Sequence, residues 1–398
     1  MNSKERILKV IKHEKADKIP VDLGGSLPTG INVKAYNGLK QALGIKSCNL
    51  EIFDSMFMIA KVEKEIIENL QIDVVPISSP YDCMYLRNFI AKKETILPNG
   101  LKCLISEDYK PERQRDGSNI FKKNGFIFKF PRNGFYHDVT KYALEDIKSV
   151  KDIDRLFDFS GYSDIEENYF LEQSKKLKGT DKAVIGDIFA SFSAEDVFGY
   201  EKALMSLLVD KKLHMYFVER LTDMFINNFD IFNRSMGDVA DILLIYKDMG
   251  HQDGPIISTD VANEFFFPLF KKFISHVKSK SNYYVMMHNC GSIYNFIPGL
   301  IDCGVDILNP IQFTAKNMEL QRLQREFGKY ICFWGGGIDT QKILPYGTEK
   351  EVRKQVKENA FILSKNDGFV FNPVHIIQSG VPAENIIAAY DEINKIVF

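Results

Sequence analysis

The stretch Tyr283–Leu308, YYVMMHNCGSIYNFIPGLIDCGVDIL, holds the pattern that decides the fold. An apolar run (YYVMM) leads into a polar loop with glycine, a helical segment follows, and a second apolar run (VDIL) ends the stretch. Runs that are apolar at nearly every position suit strands buried on both faces, as in parallel sheets. The stretch therefore predicts one strand–loop–helix–strand unit of an α/β protein.

Eight runs of this kind recur along the chain. The predicted strands are Ile19–Leu23, Ile72–Ile77, Ala183–Ile188, Ile242–Tyr246, Tyr283–Met287, Val305–Leu308, Tyr330–Trp334 and Gly368–Phe371. Helical periodicity fills the gaps at Lys4–Lys12, Ile59–Leu70, Ser193–Leu208, Lys212–Met236, Thr259–Val277, Thr348–Leu363 and Pro382–Ile396. Eight strands alternating with helices favour a closed (β/α)8 TIM barrel over an open doubly wound sheet, and we expect residues 1–398 to form one domain.

One long segment, about residues 78–180, interrupts this alternation between the second and third predicted strands. Pro98-Asn99-Gly100 and Asn124-Gly125 each lie between apolar runs, and Asn-Gly favours the type I′ turn of a β-hairpin. We interpret the segment as a β-rich insertion that caps the barrel mouth. Its aromatic residues are expected to form a small core of their own (Phe126, Phe128, Phe130, Phe135, Tyr136).

Composition narrows the class of protein. The 398 residues are 45% hydrophobic and 26% charged, with a net charge of −2, so nothing indicates nucleic-acid binding. The N-terminus resembles no signal peptide, and no apolar run of membrane-spanning length exists. Six scattered cysteines do not suggest a disulfide framework, and we expect a cytoplasmic protein with reduced thiols (Cys48, Cys83, Cys103, Cys290, Cys303, Cys332). Cys303 and Cys332 are expected to be core thiols.

The strongest chemical motif is His288-Asn289-Cys290, directly after the fifth predicted strand. Residues two apart in extended chain face the same side, so the imidazole and the thiol can converge. This pair suits a borderline-soft ion such as Zn²⁺, which commonly has three protein ligands and an open position in catalytic sites. The spacing alone is a weak motif, and a packed histidine beside an inert cysteine at the end of a strand explains it more simply.

In a barrel, functional residues follow the C-terminal ends of the strands, and polar residues recur there in this chain. His375, after the last strand, is the natural third metal ligand. For Asp248 the sequence leaves four roles open: a fourth metal ligand, a residue that orients a histidine, a general base or a helix cap. The other candidates are Asp187, His251 and Asp339 for catalysis, and Asn309, Gln312, Gly335, Gly336 and Gln378 for contact with a large cofactor. The glycines would let the backbone approach such a ligand closely.

At these residues the chain resembles the uroporphyrinogen decarboxylase superfamily, and more closely its branch of cobalamin-dependent methyltransferases. Four stretches carry the resemblance across nearly the whole chain: RILKVIKHEKADKIPVDLGG, HNCGSIYNFIPGLIDCGVDILNPIQ, FWGGGIDTQ and PVHIIQSGVPAENI. The resemblance implies zinc bound by a His-x-Cys pair, matched by His288 and Cys290, and by a later cysteine. His375 stands in place of that cysteine and completes a His2Cys set.

The resemblance also implies a function. A methyl group would move between a small methylated substrate (ether, amine, methanol or thiol) and a corrinoid carried by a separate protein; a homodimer is also compatible. One alternative is a metal-independent decarboxylase, but the region after the first strand, DLGGSLPTGINVKAYNG, has no arginine to bind substrate carboxylates. The other alternative is a catalytically silent subunit of a corrinoid complex. The sequence leaves the methyl donor, the direction of transfer and the fourth zinc ligand open.

Overall fold

The structure is a computed structural model that describes residues 1–46 and 50–396; Cys48 lies outside these ranges. A curled parallel sheet forms the centre of the protein. In spatial order its strands are Phe369–Val370, Cys332–Trp334, Ile307–Asn309, Tyr284–His288, Ile242–Tyr246, Ala183–Ser191 and Val74–Ile77. Every neighbouring pair is parallel. The prediction of buried parallel strands is confirmed, because Ile242 to Ile245 are fully buried.

The first predicted strand closes the sheet without forming a regular strand of its own. Val21 makes a single parallel bridge with Phe371. The Phe371 amide donates to the Pro20 carbonyl and the Asp73 amide to the Val21 carbonyl, both at 2.8 Å. Pro20 lacks an N–H group, which limits the ladder on this segment. Hydrogen bonds therefore run from one edge of the sheet to the other, and the predicted barrel is confirmed.

Helices surround this sheet. The α-helices are Ser3–Ile11, Val33–Ala42, Lys64–Asn69, Val150–Leu156, Asp164–Leu177, Glu195–Phe198, Tyr200–Val209, Lys211–Met236, Thr259–Val261, Phe267–Lys280, Ile297–Asp302, Leu320–Glu326, Ile343–Tyr346, Glu349–Leu363 and Ala383–Asn394. Short 3₁₀ segments occupy Gly237–Val239, Tyr294–Phe296 and Ser364–Asn366, and Ala262–Phe266 is a π-helical turn. Thr348 and Glu351 form the capping box that opens Glu349–Leu363.

Two predicted helices differ from the structure. The helix expected from Ile59 begins only at Lys64, because Ile59–Ala60 pairs as a strand with Ile52–Asp54. In so short an apolar run, the spacing of apolar residues is compatible with a helix or a strand, and the pairing with another strand decides between them. The helix predicted at residues 193–208 is broken at Gly199, whose φ of +80° lies in the left-handed region.

The segment between Val74–Ile77 and Ala183–Ser191 contains two antiparallel sheets. Lys92–Ile96 pairs with Lys102–Ser106, and a four-stranded sheet comprises Glu112–Arg113, Asn119–Lys123, Phe126–Phe130 and Asp138–Lys141. Both predicted hairpin turns are present, at residues 98–100 and 124–125. The helices Val150–Leu156 and Asp164–Leu177 belong to the same segment, so it is not purely β. A two-residue hairpin, Gly250–His251 with Gly254–Pro255, lies after a barrel strand.

Within the described ranges, no helix is both long enough and apolar enough to cross a membrane.

Candidate metal centre

Three adjacent barrel strands end at the same level. Tyr246, His288 and Asn309 are the last residues of their strands, and they are direct neighbours in the register of the sheet. Because the strands are parallel, all three side chains belong to the C-terminal rim, where functional residues of barrels lie. The fold therefore delivers a histidine, a tyrosine and an amide to one small region.

His288, Cys290 and His375 form a cluster at this rim. Their ligand atoms all lie within 4.8 Å of one another. His288 Nε2 is 3.3 Å from Cys290 Sγ, and the rings of His288 and His375 have centroids 5.3 Å apart. Two imidazole nitrogens and one sulfur at these distances could approach a single ion with modest side-chain rotation, and this donor set suits zinc. The structure thus brings together the three residues that the sequence analysis proposed as ligands.

The neighbouring amide of Asn309 fixes the orientation of His288. Asn309 Nδ2 donates to the Trp334 carbonyl at 3.1 Å, which leaves its Oδ1 to accept from His288 Nδ1 at 2.8 Å. His288 Nδ1 therefore carries the proton, and the lone pair of Nε2 points toward Cys290. Such an outer hydrogen bond is typical of a metal-binding histidine. Asn309 is buried, and these two hydrogen bonds are both with the protein itself.

Burial disfavours the charged forms of Cys290 and His375. Burial, aided by the nearby Asp248 carboxylate, raises the pKa of the Cys290 thiol well above its usual range. Burial and the neighbouring His288 lower the pKa of His375 to about 4, so this imidazole is uncharged at neutral pH and keeps a lone pair on one nitrogen. Metal binding would release the thiol proton and use ready lone pairs on the imidazoles. Asp248 Oδ1 accepts from the Cys290 backbone N–H at 2.8 Å, so this carboxylate also holds the loop in place.

A cavity of 480 Å³ opens onto the cluster, a volume suited to a small ligand. Its lining includes His288, His375 and Asp248, together with many aromatic rings: Phe57, Tyr85, Phe126, Phe128, Tyr142, Phe189, Tyr200 and Tyr246. Phe126 and Phe128 come from the inserted sheet. Phe126, Phe128 and Phe130 are buried, in agreement with the expected core, and the first two also line this cavity. Phe135 and Tyr136 are exposed, so the expectation is wrong for them.

Charged groups in this cavity are mostly acidic. Among the described lining residues, Lys247 is the one lysine or arginine, and its Nζ lies 2.9 Å from both carboxylate oxygens of Glu195. Burial raises the pKa of Asp196, in the same wall, to about 6. The cavity therefore offers no unpaired cation to an anionic ligand.

Asp187 lies beside the cavity in a buried pair with Tyr246. The Tyr246 hydroxyl donates to Asp187 Oδ2 at 2.5 Å, and the Phe189 amide donates to Asp187 Oδ1 at 2.6 Å. Burial raises the pKa of Asp187 to about 6. The sequence analysis did not identify Tyr246 as a site residue, although its place at the end of a predicted strand indicates a position at the barrel rim.

Other candidate residues lie outside the cavity lining. His251 is exposed on the small hairpin, and Asp339 Oδ1 accepts from the Gln341 amide at 2.7 Å, as a turn residue does. Gln378 is exposed. Gln312 Oε1 accepts from the Gly291 amide at 2.9 Å and so stabilises the loop that follows Cys290. Gly335 and Gly336 adopt positive φ beside the backbone of Pro373 and Ile311, so their close approach is to the protein itself.

The fold and the cluster define a class of protein, a (β/α)8 barrel with a candidate metal centre at its C-terminal rim. The chain belongs to the uroporphyrinogen decarboxylase (URO-D) family, whose sequence profile matches residues 135–396. A solved methyltransferase from Methanosarcina mazei has the same fold, with a TM-score of 0.63 and 17% identity over 99% of each chain. No curated protein sequence matches the chain.

Proposed function

We propose that the protein is a zinc-dependent methyltransferase that moves a methyl group between a small methylated substrate and a corrinoid carried by a partner protein. The observation that carries this proposal is the His288–Cys290–His375 cluster, whose ligand atoms lie within 4.8 Å of one another on the wall of a cavity. The fold shared with a methyltransferase supports it. Reduced thiols fit a cytoplasmic location.

The proposed chemistry needs a Lewis acid with one open position, because the alkoxide or thiolate expelled from an ether or thioether is a poor leaving group. Zinc bound at the cluster would supply that acidity to the heteroatom that carries the methyl group. The protein's own residues hold the ligands: Asn309 fixes the histidine ring, and Asp248 and Gln312 anchor the backbone around Cys290. The aromatic walls would exclude water and contact the apolar part of the substrate.

The charges of the cavity argue against the decarboxylase alternative. A tetrapyrrole with several carboxylates needs cationic partners, preferably arginine. Among the described lining residues there is no arginine, and Lys247 is already paired with Glu195. Three carboxylates also line the same space, those of Glu195, Asp196 and Asp248. An uncharged methyl donor avoids repulsion by these groups.

Metal analysis of protein purified without chelator tests the proposal. We expect about one zinc per chain, in keeping with one three-ligand site, and loss of that zinc in His288→Ala, Cys290→Ala and His375→Ala. Cys332→Ala is the matched control, because this buried thiol lies in a strand and should leave the zinc content unchanged. A full zinc content in His375→Ala would show that His375 is not a ligand, and would favour Asp248 as the third ligand.

A second measurement separates an enzyme from a silent subunit. Demethylation of a panel of methyl ethers, amines and thiols is followed with a corrinoid protein present, for the wild type and for Cys290→Ala. An enzyme loses turnover in the variant while its fold and partner binding persist. Equal turnover in both proteins would contradict the proposed role of the metal.

A further inference from the structure

The cavity that opens onto the His288–Cys290–His375 cluster is called the metal cavity below. A second, larger cavity lies beside it. Its volume is 710 Å³ against 480 Å³, and it runs between the inserted segment and the barrel helix Lys211–Met236. Leu156, Asp158 and Ser160 line its outer end and are exposed, so the cavity opens to solvent at these residues. At the inner end, Ile188 and Phe225 are almost fully buried.

Three aromatic residues line both cavities and so form the partition between them: Tyr85, Phe126 and Phe189. Tyr85 and Phe126 stack with ring centroids 5.3 Å apart. Neither residue is bonded to the metal cluster in the described contacts. The two spaces are therefore separated by side chains alone at this point, and side chains can rotate on fast timescales.

The backbone of the partition is unusual at Phe189. In the pairing with Ile242–Tyr246, the register passes directly from Asp187 to Ala190, so Ile188 and Phe189 bulge out of the strand. Phe189 has a φ of +54° and Tyr85 a φ of +60°, a region that bulky side chains rarely adopt. Strain of this kind persists where the surrounding structure fixes it, and it clusters at ligand-binding and switching sites.

The proposed function creates a need for a second route. A corrinoid is a flat macrocycle far too large for a 480 Å³ cavity, so a corrinoid that reaches the metal cluster must lie across the barrel mouth. In that position it covers the opening through which a small substrate would otherwise enter or leave. The outer opening is lined by Ser160 and by no residue of the His288–Cys290–His375 cluster, so we expect it to remain free.

We propose that the small methylated substrate enters and leaves through this second cavity, past the partition of Tyr85, Phe126 and Phe189. Ile188 and Phe225 make the inner end of the cavity apolar. Four charged residues also line the cavity: Arg87 is paired with Asp108, Asp82 accepts three backbone N–H groups, Asp158 is exposed and Lys123 is half-buried. The apolar inner end suits an uncharged molecule with an apolar body. The purpose assigned to the route rests on the proposed function, but the connection between the cavities does not.

The connection can be tested through two thiols: Cys83, which lines the metal cavity, and Cys290, whose Sγ lies 3.3 Å from Nε2 of the lining residue His288. Metal-free protein is treated with iodoacetamide at fixed pH, and the labelling rate of each cysteine is measured by peptide mass spectrometry. Phe189→Gly removes the ring and suits the positive φ without strain, so it should open the partition. We expect it to speed the labelling of both thiols about tenfold, because the ring no longer obstructs the opening.

A variant filled at the outer end, Ser160→Trp with Ala143→Trp, should slow the labelling of both thiols at least about threefold in otherwise wild-type protein, since side-chain bulk blocks the route. Combined with Phe189→Gly, the filled variant should cancel the acceleration. Lys176→Trp, on an exposed helix face, is the matched control and should change neither rate. Ser160→Trp alone serves if the double substitution fails to fold.

The inference is overturned if the filled variant leaves the labelling rates unchanged, or if Phe189→Gly accelerates labelling in a way that filling does not reverse. Either result would mean that reagents reach the thiols through the barrel mouth. Zinc content is measured on the same variants. Absence of zinc would count against the proposed function while the labelling rates still decide whether the cavities connect.

Discussion

At the scale of single residues, the contact between Asn309 and His288 makes the sharpest prediction about metal affinity. Asn309→Ala removes the acceptor that fixes the protonated Nδ1 of His288, so the ring loses its orientation toward Cys290. Loss of such an outer partner typically weakens metal binding about tenfold to a hundredfold. Competition with a chromogenic chelator would measure the zinc affinity.

Asn385→Ala is the control for this prediction. Asn385 is also buried and also bonds through its amide, to the carbonyls of Leu344 and Gly347, but it has no contact with the cluster. It should lower stability and leave the zinc affinity within about twofold of wild type. Equal weakening in both variants would show that Asn309 acts through general stability and not through the histidine.

Asp22 allows a prediction about pH because it is fully buried and receives hydrogen bonds from uncharged donors. Burial raises its pKa to about 6 although Trp334 Nε1 and the Gly25 amide donate to it. The folded protein thus holds this proton more tightly than the unfolded chain does. The resulting contribution to stability is complete below pH 4 and is lost as the pH rises to 6.

The Asp22→Asn variant lacks this titration. Its loss of the Trp334 bond is a constant offset, so the difference in unfolding free energy between wild type and variant should shift by about 1.4 kcal/mol per pH unit between pH 4 and 6. The wild type becomes relatively less stable as pH rises. Denaturant titrations at several pH values would measure the slope, and a flat difference would show that the carboxyl titrates normally.

At the scale of elements, the glycine loop after Cys332–Trp334 predicts opposite effects for two alanine substitutions. Gly336 has a φ of +81°, and an added Cβ would lie 2.8 Å from the Ile311 carbonyl oxygen. Gly336→Ala should therefore destabilise the protein by more than about 1 kcal/mol. Gly38 lies within the helix Val33–Ala42 with nothing within 4 Å of an added Cβ, so Gly38→Ala should stabilise by about 0.5–1 kcal/mol.

Thermal and urea unfolding of the two glycine variants would show the opposite signs. A stabilised Gly336→Ala protein would contradict the backbone conformation described for this loop. The comparison is internally controlled, because both substitutions add one methyl group and both remove the same freedom from the unfolded chain.

The elements also show what sequence patterns can and cannot predict. Buried strands are predictable because continuous apolar runs, repeated between helical segments of a long chain, are typical of parallel sheets. The state of Ile59–Ala60 is not, because it depends on pairing with Ile52–Asp54, a contact outside any local window. The positions of His288 and His375 at the rim are predictable from their places at the ends of strands. The role of Asn309 is not, since it depends on which strands are neighbours and on how far each one extends.

The partition at Phe189 lies beyond sequence interpretation for a similar reason. Its bulge exists only relative to the partner strand Ile242–Tyr246, and the cavity walls combine the barrel with the inserted sheet. A periodic pattern describes one element at a time. The residues that join separate elements, such as Phe126 and Tyr85, therefore carry no local signal of their contact with the metal cavity.

At the scale of the whole molecule, a metal ion at the cluster would join distant parts of the barrel. His288 ends a strand in the middle of the sheet order, whereas His375 follows the strand that meets the closing segment at Val21. An ion bound to both, and to Cys290, would oppose separation of these parts during unfolding. Because unfolded chain offers no such arrangement of ligands, zinc should stabilise the folded state in proportion to its occupancy.

The last prediction follows from this linkage. At free zinc a hundredfold above the dissociation constant, the unfolding free energy should rise by about 2.7 kcal/mol over that of chelator-treated protein. His375→Ala should lose most of this gain, since two ligands bind zinc far more weakly than three. Cys103→Ala, a buried thiol in the inserted sheet, should lower the baseline stability yet keep the full zinc-dependent gain. Unfolding that is the same with and without zinc in the wild type would mean that the three side chains bind no ion.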